Sequence, residues 1–517
     1  MRLHPPRYAE PPRHLLKAAA HHVAGAPADV VPVPPDPAKT QGFIMRGYNF
    51  AFTRYFALSV TDAAKARAFI ESLVSGEQAW PSVTIASQWA PPKPNRCLNI
   101  GFTCPGLVAL GVPQAAVDQS FGPTSDHNSF YVGAAAQAGI VGDVGQSDPA
   151  NWRLNDRDFD VMLILWGATT DIIEEDTAML KPLLDGFAPL SEDRIFDSQV
   201  LDNHKVWFGY RDGIAQPHVA GVPYIQDPDG DQELADPSAF MLGTALPGNT
   251  YLGTSVPIAP LGLHGCFAAF RILVQDVEGY EAQARRLADA DFCKLYGITD
   301  PDHAVEAVKA LLCGRWTNGV SLSVFPIQGD TPPPTMLDNE LNNFLYVLPA
   351  GQPGPGQDPN PLIDPDMGSH CPIGAHTRRG NMRGFFFSDT PSVYHRIIRR
   401  AAAYQLPYPP VGTDPGERGL MGLFLSGCLS DQFEFVQRSW INNWIGPSSF
   451  SLVKDRSDPV MGEQPGGTGT FDETIGIPKQ KKKLKGMTSF VATRAGAYCF
   501  FPGIDGIAWI GKQIGKG

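Results

Sequence analysis

The chain has 517 residues, and its 41 basic against 53 acidic side chains give a net charge of −12. With 43% apolar and 18% charged residues, it is neither a disordered acidic chain nor a coiled coil, and its negative balance argues against a general nucleic-acid partner. The 53 glycines and 48 prolines predict many turns and long ordered loops, without the Gly-X-Y period of collagen.

Residues 1–40 hold nine prolines and little apolar periodicity, so an extended N-terminal arm is expected there. Regular structure then begins. Tyr48 to Val60 is aromatic and β-branched enough for a strand, Thr61-Asp62 is a helix cap, and Ala63 to Val74 carries apolar residues at helical spacing. Further strands are expected at Cys97 to Thr103 and Val161 to Trp166, the latter apolar on both faces.

The same form returns later in the chain. Cys266 to Val274 reads as a strand, Gln275-Asp276 as a cap, and Gly279 to Ala290 as an amphipathic helix. Tyr394 to Arg399, Leu420 to Cys428 and Ala497 to Phe501 read as strands, with a helix from Ser430 to Asn442 before the last. Strand–helix–strand–strand–helix–strand, met twice, predicts an α+β protein. It would have two split-βαβ, ferredoxin-like units with antiparallel sheets, covering 41–262 and 263–517, arranged as a barrel-like pseudo-dimer. Two long loops interrupt it, residues 217–262 and the Pro-rich 329–372, whose Gly351 to Gly356 string does not follow a strand.

The eight cysteines are scattered without a C-x-x-C pair and read as core thiols of a reducing compartment. No apolar run reaches the roughly 18 residues of a membrane span. The apolar stretch Leu15 to Val23 is broken by Lys17, His21 and His22, so a cytoplasmic protein with no membrane contact is expected. The lysine-rich run from Lys479 to Lys485 is expected to be a solvated loop.

No Walker loop, H-E-x-x-H, G-x-S-x-G or dinucleotide fingerprint is present; three polar clusters remain. The first is Gly209-Tyr210-Arg211-Asp212-Gly213, where glycines flanking an acid let the backbone turn sharply and bring a carboxylate against a ligand. Asp212 could equally cap a turn. The second runs from Cys371 to Arg383 and surrounds His376 with Arg378, Arg379 and Arg383. Neighbouring cations favour the neutral imidazole that ligates metals, and the arginines suit a pair of carboxylates; a solvated surface loop is the plainer alternative. The third, Tyr394 to Arg400, would as a strand put Arg396 and Arg400 on one face and His395 and Arg399 on the other.

Together, in this order and spacing, the clusters resemble the dye-decolorising peroxidase family. Its G-x-x-D-G matches residues 209–213, its A-H-x-R-x-x-N-P-R matches Ala375 to Arg383, and its I-L-R-R-G strand matches Ile397 to Ala401. Gln41 to Gly47, Gly106 to Pro113, Arg418 to Phe424 and Gln432 to Asn442 also fit, so the resemblance spans roughly residues 40–515. Met382 stands where the family has proline, Ala401 where it has glycine, and Trp444 where a proline often follows the paired asparagines. The resemblance implies a peroxidase holding haem b, reducing hydrogen peroxide and oxidising dyes, phenols or other aromatic reductants by single electrons. It makes His376 the iron ligand, Asp212 the distal proton carrier and Arg399 the distal cation. Arg378 and Arg383 become propionate partners, and Gly213 lies against the cofactor. An acidic working pH is expected of such a distal pair. Two other functions use the same sequence features: a haem-handling protein of deferrochelatase type, and a cofactor-free ferredoxin-like interaction module.

Overall fold

The computed structural model describes residues 33–513 apart from 76–79, 90, 223–233, 245–255, 343, 345, 347–369, 384–385, 388–389, 392–394, 407–415, 443–456, 465–468 and 473–482. Most of the N-terminal arm, the Gly351 string, Trp444 and the first lysines of the basic run lie outside the described residues. Among the described residues no helix is long and apolar enough to cross a membrane.

Eight strands build the main sheet: β1 Phe52–Leu58, β2 Arg96–Phe102, β3 Val161–Gly167, β4 Ile195–Gln199, β5 Cys266–Gln275, β6 Ile398–Leu406, β7 Glu417–Ser426 and β8 Val491–Phe501. Their spatial order is β2-β3-β1-β4-β6-β7-β5-β8, with the two-residue strand Leu154–Asn155 beside β8 and a closing contact between Phe500 of β8 and Phe102 of β2. The first four strands and the last four each stand second-third-first-fourth in their own sequence order. Every pairing among the eight is antiparallel. Each unit's fourth strand meets the other's second, so the two ferredoxin-like halves close on one another with pseudo-twofold logic.

Helices occupy the positions the repeated pattern requires. α1 (Ala63–Ser72) is capped by Asp62, whose carboxylate accepts from the N–H groups of Ala64 and Lys65, and α2 (Thr170–Leu180) by Thr169. In the second unit α3 (Val277–Leu287) follows β5, capped by Asp276, and two π-helical segments, Leu429–Glu434 and Val436–Asn442, follow β7. Strand alternation splits the core in two. On β3 and β5, Leu163, Leu165, Phe267 and Ala269 pack beneath the helices, while Met162, Ile164, Ala268 and Phe270 fill the opposite face. A third cluster surrounds α4 (Pro301–Cys313), joining Phe208, Tyr210, Tyr280 and Trp316. Each such fully buried side chain contributes roughly 1.5–3 kcal/mol.

Two local expectations need correction. β4 was not expected: its Ile-Phe-Asp-Ser-Gln sequence is short and half polar, and it is held to β1 partly through Asp197, which pairs with Arg54 at 2.7 Å. β6 starts at Ile398 rather than Tyr394, pairing from Ile398↔Leu425 to Leu406↔Glu417. His395 is drawn out of the strand because its Nδ1 lies 2.6 Å from the carbonyl of Asp431. Arg396 therefore shares no strand face with Arg400, and Arg399 and Arg400 project to opposite sides of β6.

Candidate functional site

The site is built around the last turn of α4. Pro301 opens this helix after the Asp300 cap, and Gly314 closes it at φ +88°. A Cβ at Gly314 would stand 2.6 Å from Thr377 Oγ1 and 3.3 Å from Cys371 Sγ, so another segment passes unusually close to the helix end. That segment carries His376.

The acid-bearing loop reaches the same helix from the other direction. The Tyr210 hydroxyl donates to the Lys309 carbonyl at 2.8 Å and lies 2.5 Å from the Tyr280 hydroxyl. Thr377 Oγ1 donates to the Cys313 carbonyl at 2.8 Å. Lys309 and Cys313 are four residues apart, one helical turn or about 6 Å of rise. Asp212, two residues after Tyr210, and His376, one before Thr377, are thus suspended from a single turn of α4. The Arg211 N–H donates to the Thr317 carbonyl at 2.9 Å, the Asp212 N–H to His204 at 2.7 Å, and Arg211 pairs with Asp338 at 2.7 Å. Gly209 and Gly213 adopt φ +90° and +80°, which glycine takes without strain. Asp212 is half-buried, and its carboxylate accepts no hydrogen bond from the described residues.

Arg399 joins the acid loop through Gln216. The Gln216 amide oxygen accepts the Arg399 N–H at 3.0 Å, its nitrogen donates to the Arg399 carbonyl at 3.2 Å, and Arg399 Nη2 donates to the Ala215 carbonyl at 3.0 Å. A side-chain amide takes the place of a neighbouring strand, so the guanidinium is tied to the loop three and four residues beyond Asp212.

On the other side, His376 begins the short helix α5 (His376–Gly380), and its Nδ1 lies 3.1 Å from Asp458 Oδ2. Asp458 is fully buried, and its Oδ1 accepts from the N–H groups of Val460 at 2.8 Å and Met461 at 3.0 Å. Burial alone would raise this carboxyl. Its contact with His376, the charge of Arg379 and the Met461 N–H outweigh that and hold it below the ordinary value. An ionised acceptor fixes the proton on Nδ1 and leaves the Nε2 lone pair for a metal. One imidazole backed by one carboxylate is a single-donor set, suited to a metal that brings its other ligands with it.

The motif arginines are buried close by. Arg378 Nη1 donates to the Cys371 carbonyl at 2.6 Å with its guanidinium 4.9 Å from the Tyr346 ring. Arg379 Nε donates to the Trp440 carbonyl at 2.6 Å, and burial lowers its pKa to about 10 against the pull of Asp458. Arg383 Nη1 donates to the Phe344 carbonyl at 3.2 Å and Nη2 to the Asn342 side chain. Met382, in place of the family's proline, packs at 5% exposure with Ile373, Val436, Trp440 and Ile441. Arg315 and Arg399 have no carboxylate partner among the described residues, and Arg315 is buried with its Nε bare of any acceptor; Arg400, on the opposite side of β6, donates instead to the Phe43 carbonyl at 2.6 Å. A buried and a half-buried cation without acids make a fit for a ligand that carries anionic groups, as a haem does.

Sequence reasoning missed Asp458, Gln216 and Arg315. Asp458 sits 82 residues beyond His376 in a Ser-Asp-Pro string that reads as a turn cap, which it also is. Gln216 stands in the string that follows the G-x-x-D-G motif, where a glutamine carries no signal by itself.

No family model matches the chain. It is 26% identical over 495 residues to a dye-decolorizing peroxidase of Auricularia auricula-judae, covering 90% of this chain and 85% of that protein. A dye-decolorizing peroxidase of Mycena epipterygia is 27% identical over 499 residues, covering 91% and 86%. A multifunctional dye peroxidase of Amycolatopsis is 24% identical over 475 residues, covering 86% and 90%. The fold matches the crystal structure of a fungal DyP-type peroxidase from Auricularia auricula-judae with TM-score 0.73 at 23% identity, covering 92% of this chain and 99% of that one. An ancestral D-type dye-decolorizing peroxidase matches with TM-score 0.74 at 24% identity, with the same coverage.

Proposed function

We propose that the chain is a member of the dye-decolorising peroxidase family, to whose proteins it is similar over about nine-tenths of its length, and that it is a haem b peroxidase that reduces hydrogen peroxide and oxidises aromatic reductants. The observation that carries this reading is the suspension of two loops from one turn of α4. One loop presents a carboxylate that accepts no hydrogen bond from the described residues, Asp212, and the other an imidazole oriented by a buried acid, His376 with Asp458.

His376 would hold the iron through Nε2, with Asp458 accepting from Nδ1–H and making the ring more electron-rich. When bound, the haem supplies the redox centre that delivers two electrons to peroxide and recovers them singly from the reductant. Asp212 takes a proton from one peroxide oxygen and returns it to the other, so that the leaving oxygen departs as water instead of hydroxide. Arg399, held by Gln216 and Ala215, stabilises negative charge on that leaving oxygen. Gly213 keeps the Asp212 turn tight at its positive φ. For Arg378 and Arg383 we propose the propionate role together with a second task. Their bonds to Cys371, Asn342 and Phe344 brace the segment that carries His376.

The test is the absorption spectrum of the purified protein before and after one equivalent of peroxide, with product analysis. Haem bands that change on mixing, with dye oxidised and porphyrin left intact, support the proposal. Free protoporphyrin after incubation would point to haem handling, and protein that stays colourless with added haem would refute the cofactor altogether.

A further inference from the structure

We propose that Arg315 is an anchor for a carboxylate of the bound porphyrin, an inference that rests on the haem reading above. Arg315 follows α4 by two residues, outside every motif described so far, and is 5% exposed. Its Nη1 donates to the carbonyls of Gly319 and Leu341, both at 2.7 Å, and its guanidinium carbon lies 5.1 Å from the Phe344 ring. Its Nε–H is buried with no acceptor. No described carboxylate pairs with it.

The groups that surround it supply no compensating charge. Burial pushes the Tyr346 hydroxyl up to about 12 and the Cys313 thiol up to about 12, so both are neutral at ordinary pH. Cys371 donates its thiol to the Gly314 carbonyl, and Arg399 adds a second cation to the same neighbourhood. A buried guanidinium with no acid among the described residues is unfavourable until an anion arrives.

Its position identifies the anion. Gly314, the residue before it, lies against Cys371 and Thr377 of the His376 segment, and Gly319, whose carbonyl Arg315 holds, lies against Ile214 and Arg211 of the Asp212 loop. It therefore stands where the two halves of the candidate haem site meet. A guanidinium with a bare Nε–H matches a carboxylate better than a point charge would. The porphyrin carries two carboxylates. An anionic aromatic reductant offers the same chemistry and is separated by the experiment.

The experiment measures haem loss from the holoprotein to an excess of an apoprotein trap. It compares wild type with Arg315→Met, each loaded with haem or with its dimethyl ester, which lacks the carboxylates. The substitution should speed haem loss by about ten- to a hundredfold, the range for a hydrogen bond to a charged group, and leave ester loss unchanged. The KM of a carboxylate-bearing reductant should stay at the wild-type value; a raised KM with unchanged haem loss would assign the anion to the reductant and overturn the proposal. Equal acceleration for haem and ester would mean a structural role and overturn it too, as would no acceleration. If Arg315→Met does not fold, Arg315→Lys, which keeps the charge but not the fork, should show a smaller difference between haem and ester in the same direction; no difference overturns the proposal. Wild type that takes up neither porphyrin would instead defeat the haem reading itself.

Discussion

Asp458→Asn changes one atom and reverses the logic of the His376 side. Asp458 Oδ1 accepts two backbone N–H groups, at 2.8 and 3.0 Å, while Oδ2 faces His376 Nδ1 at 3.1 Å. Asparagine has a single oxygen. If it stays with the two backbone donors, the amide nitrogen faces His376, and the imidazole must carry its proton on Nε2, the nitrogen needed for the metal. If the amide flips, two backbone donors in a fully buried loop face an NH2 group, at a cost of about 1–3 kcal/mol each. Loss of such a partner behind a metal-binding histidine costs roughly 10–100-fold in affinity. We expect Asp458→Asn to lose haem 10–100-fold faster in a trap assay, about 1.4–2.8 kcal/mol by the tenfold-per-1.4 relation. Its reduction potential should rise, because the ring is no longer backed by an anion. A variant that keeps haem at the wild-type rate with the wild-type potential would show that Asp458 does not orient His376.

Gln216→Leu removes both bonds to the Arg399 backbone, and the strand position should loosen by about 1–3 kcal/mol. Stopped-flow mixing with peroxide should show a slower first step with haem content unchanged, and an unaltered rate would refute the positioning role. Glu434 gives the pH prediction. Burial raises its carboxyl, partly offset by hydroxyls such as that of Ser129 at 2.9 Å. Its stability contribution is therefore complete below the unfolded carboxylate range and is lost as pH rises through the folded value. Glu434→Gln cannot ionise, so its melting temperature relative to wild type should climb between pH 4 and pH 8; a constant difference across that range would contradict the assignment.

Much of the architecture was legible because it rests on continuous apolar runs, as in Val161 to Trp166 and Cys266 to Val274, and on acid caps such as Asp62 and Asp276. β6 was placed too early because its middle, Ala401 to Ala403, lacks the branched and aromatic side chains that signal a strand. Its place comes from long-range pairing with β7. In the same way Asp212, His376 and Arg399 stood out by local motif. Asp458 and Gln216 act across 82 and 183 residues of sequence and left no local trace. Arg315 became noticeable only through what it lacks, an acid partner among the described residues.

If His376 Nε2 is the protein's grip on iron, the visible spectrum of purified His376→Ala beside wild type, with and without added imidazole, reads it directly. The variant should show a lost or strongly shifted Soret band, partly restored by imidazole entering the space the side chain left. A variant that purifies with the wild-type band at wild-type intensity would contradict it.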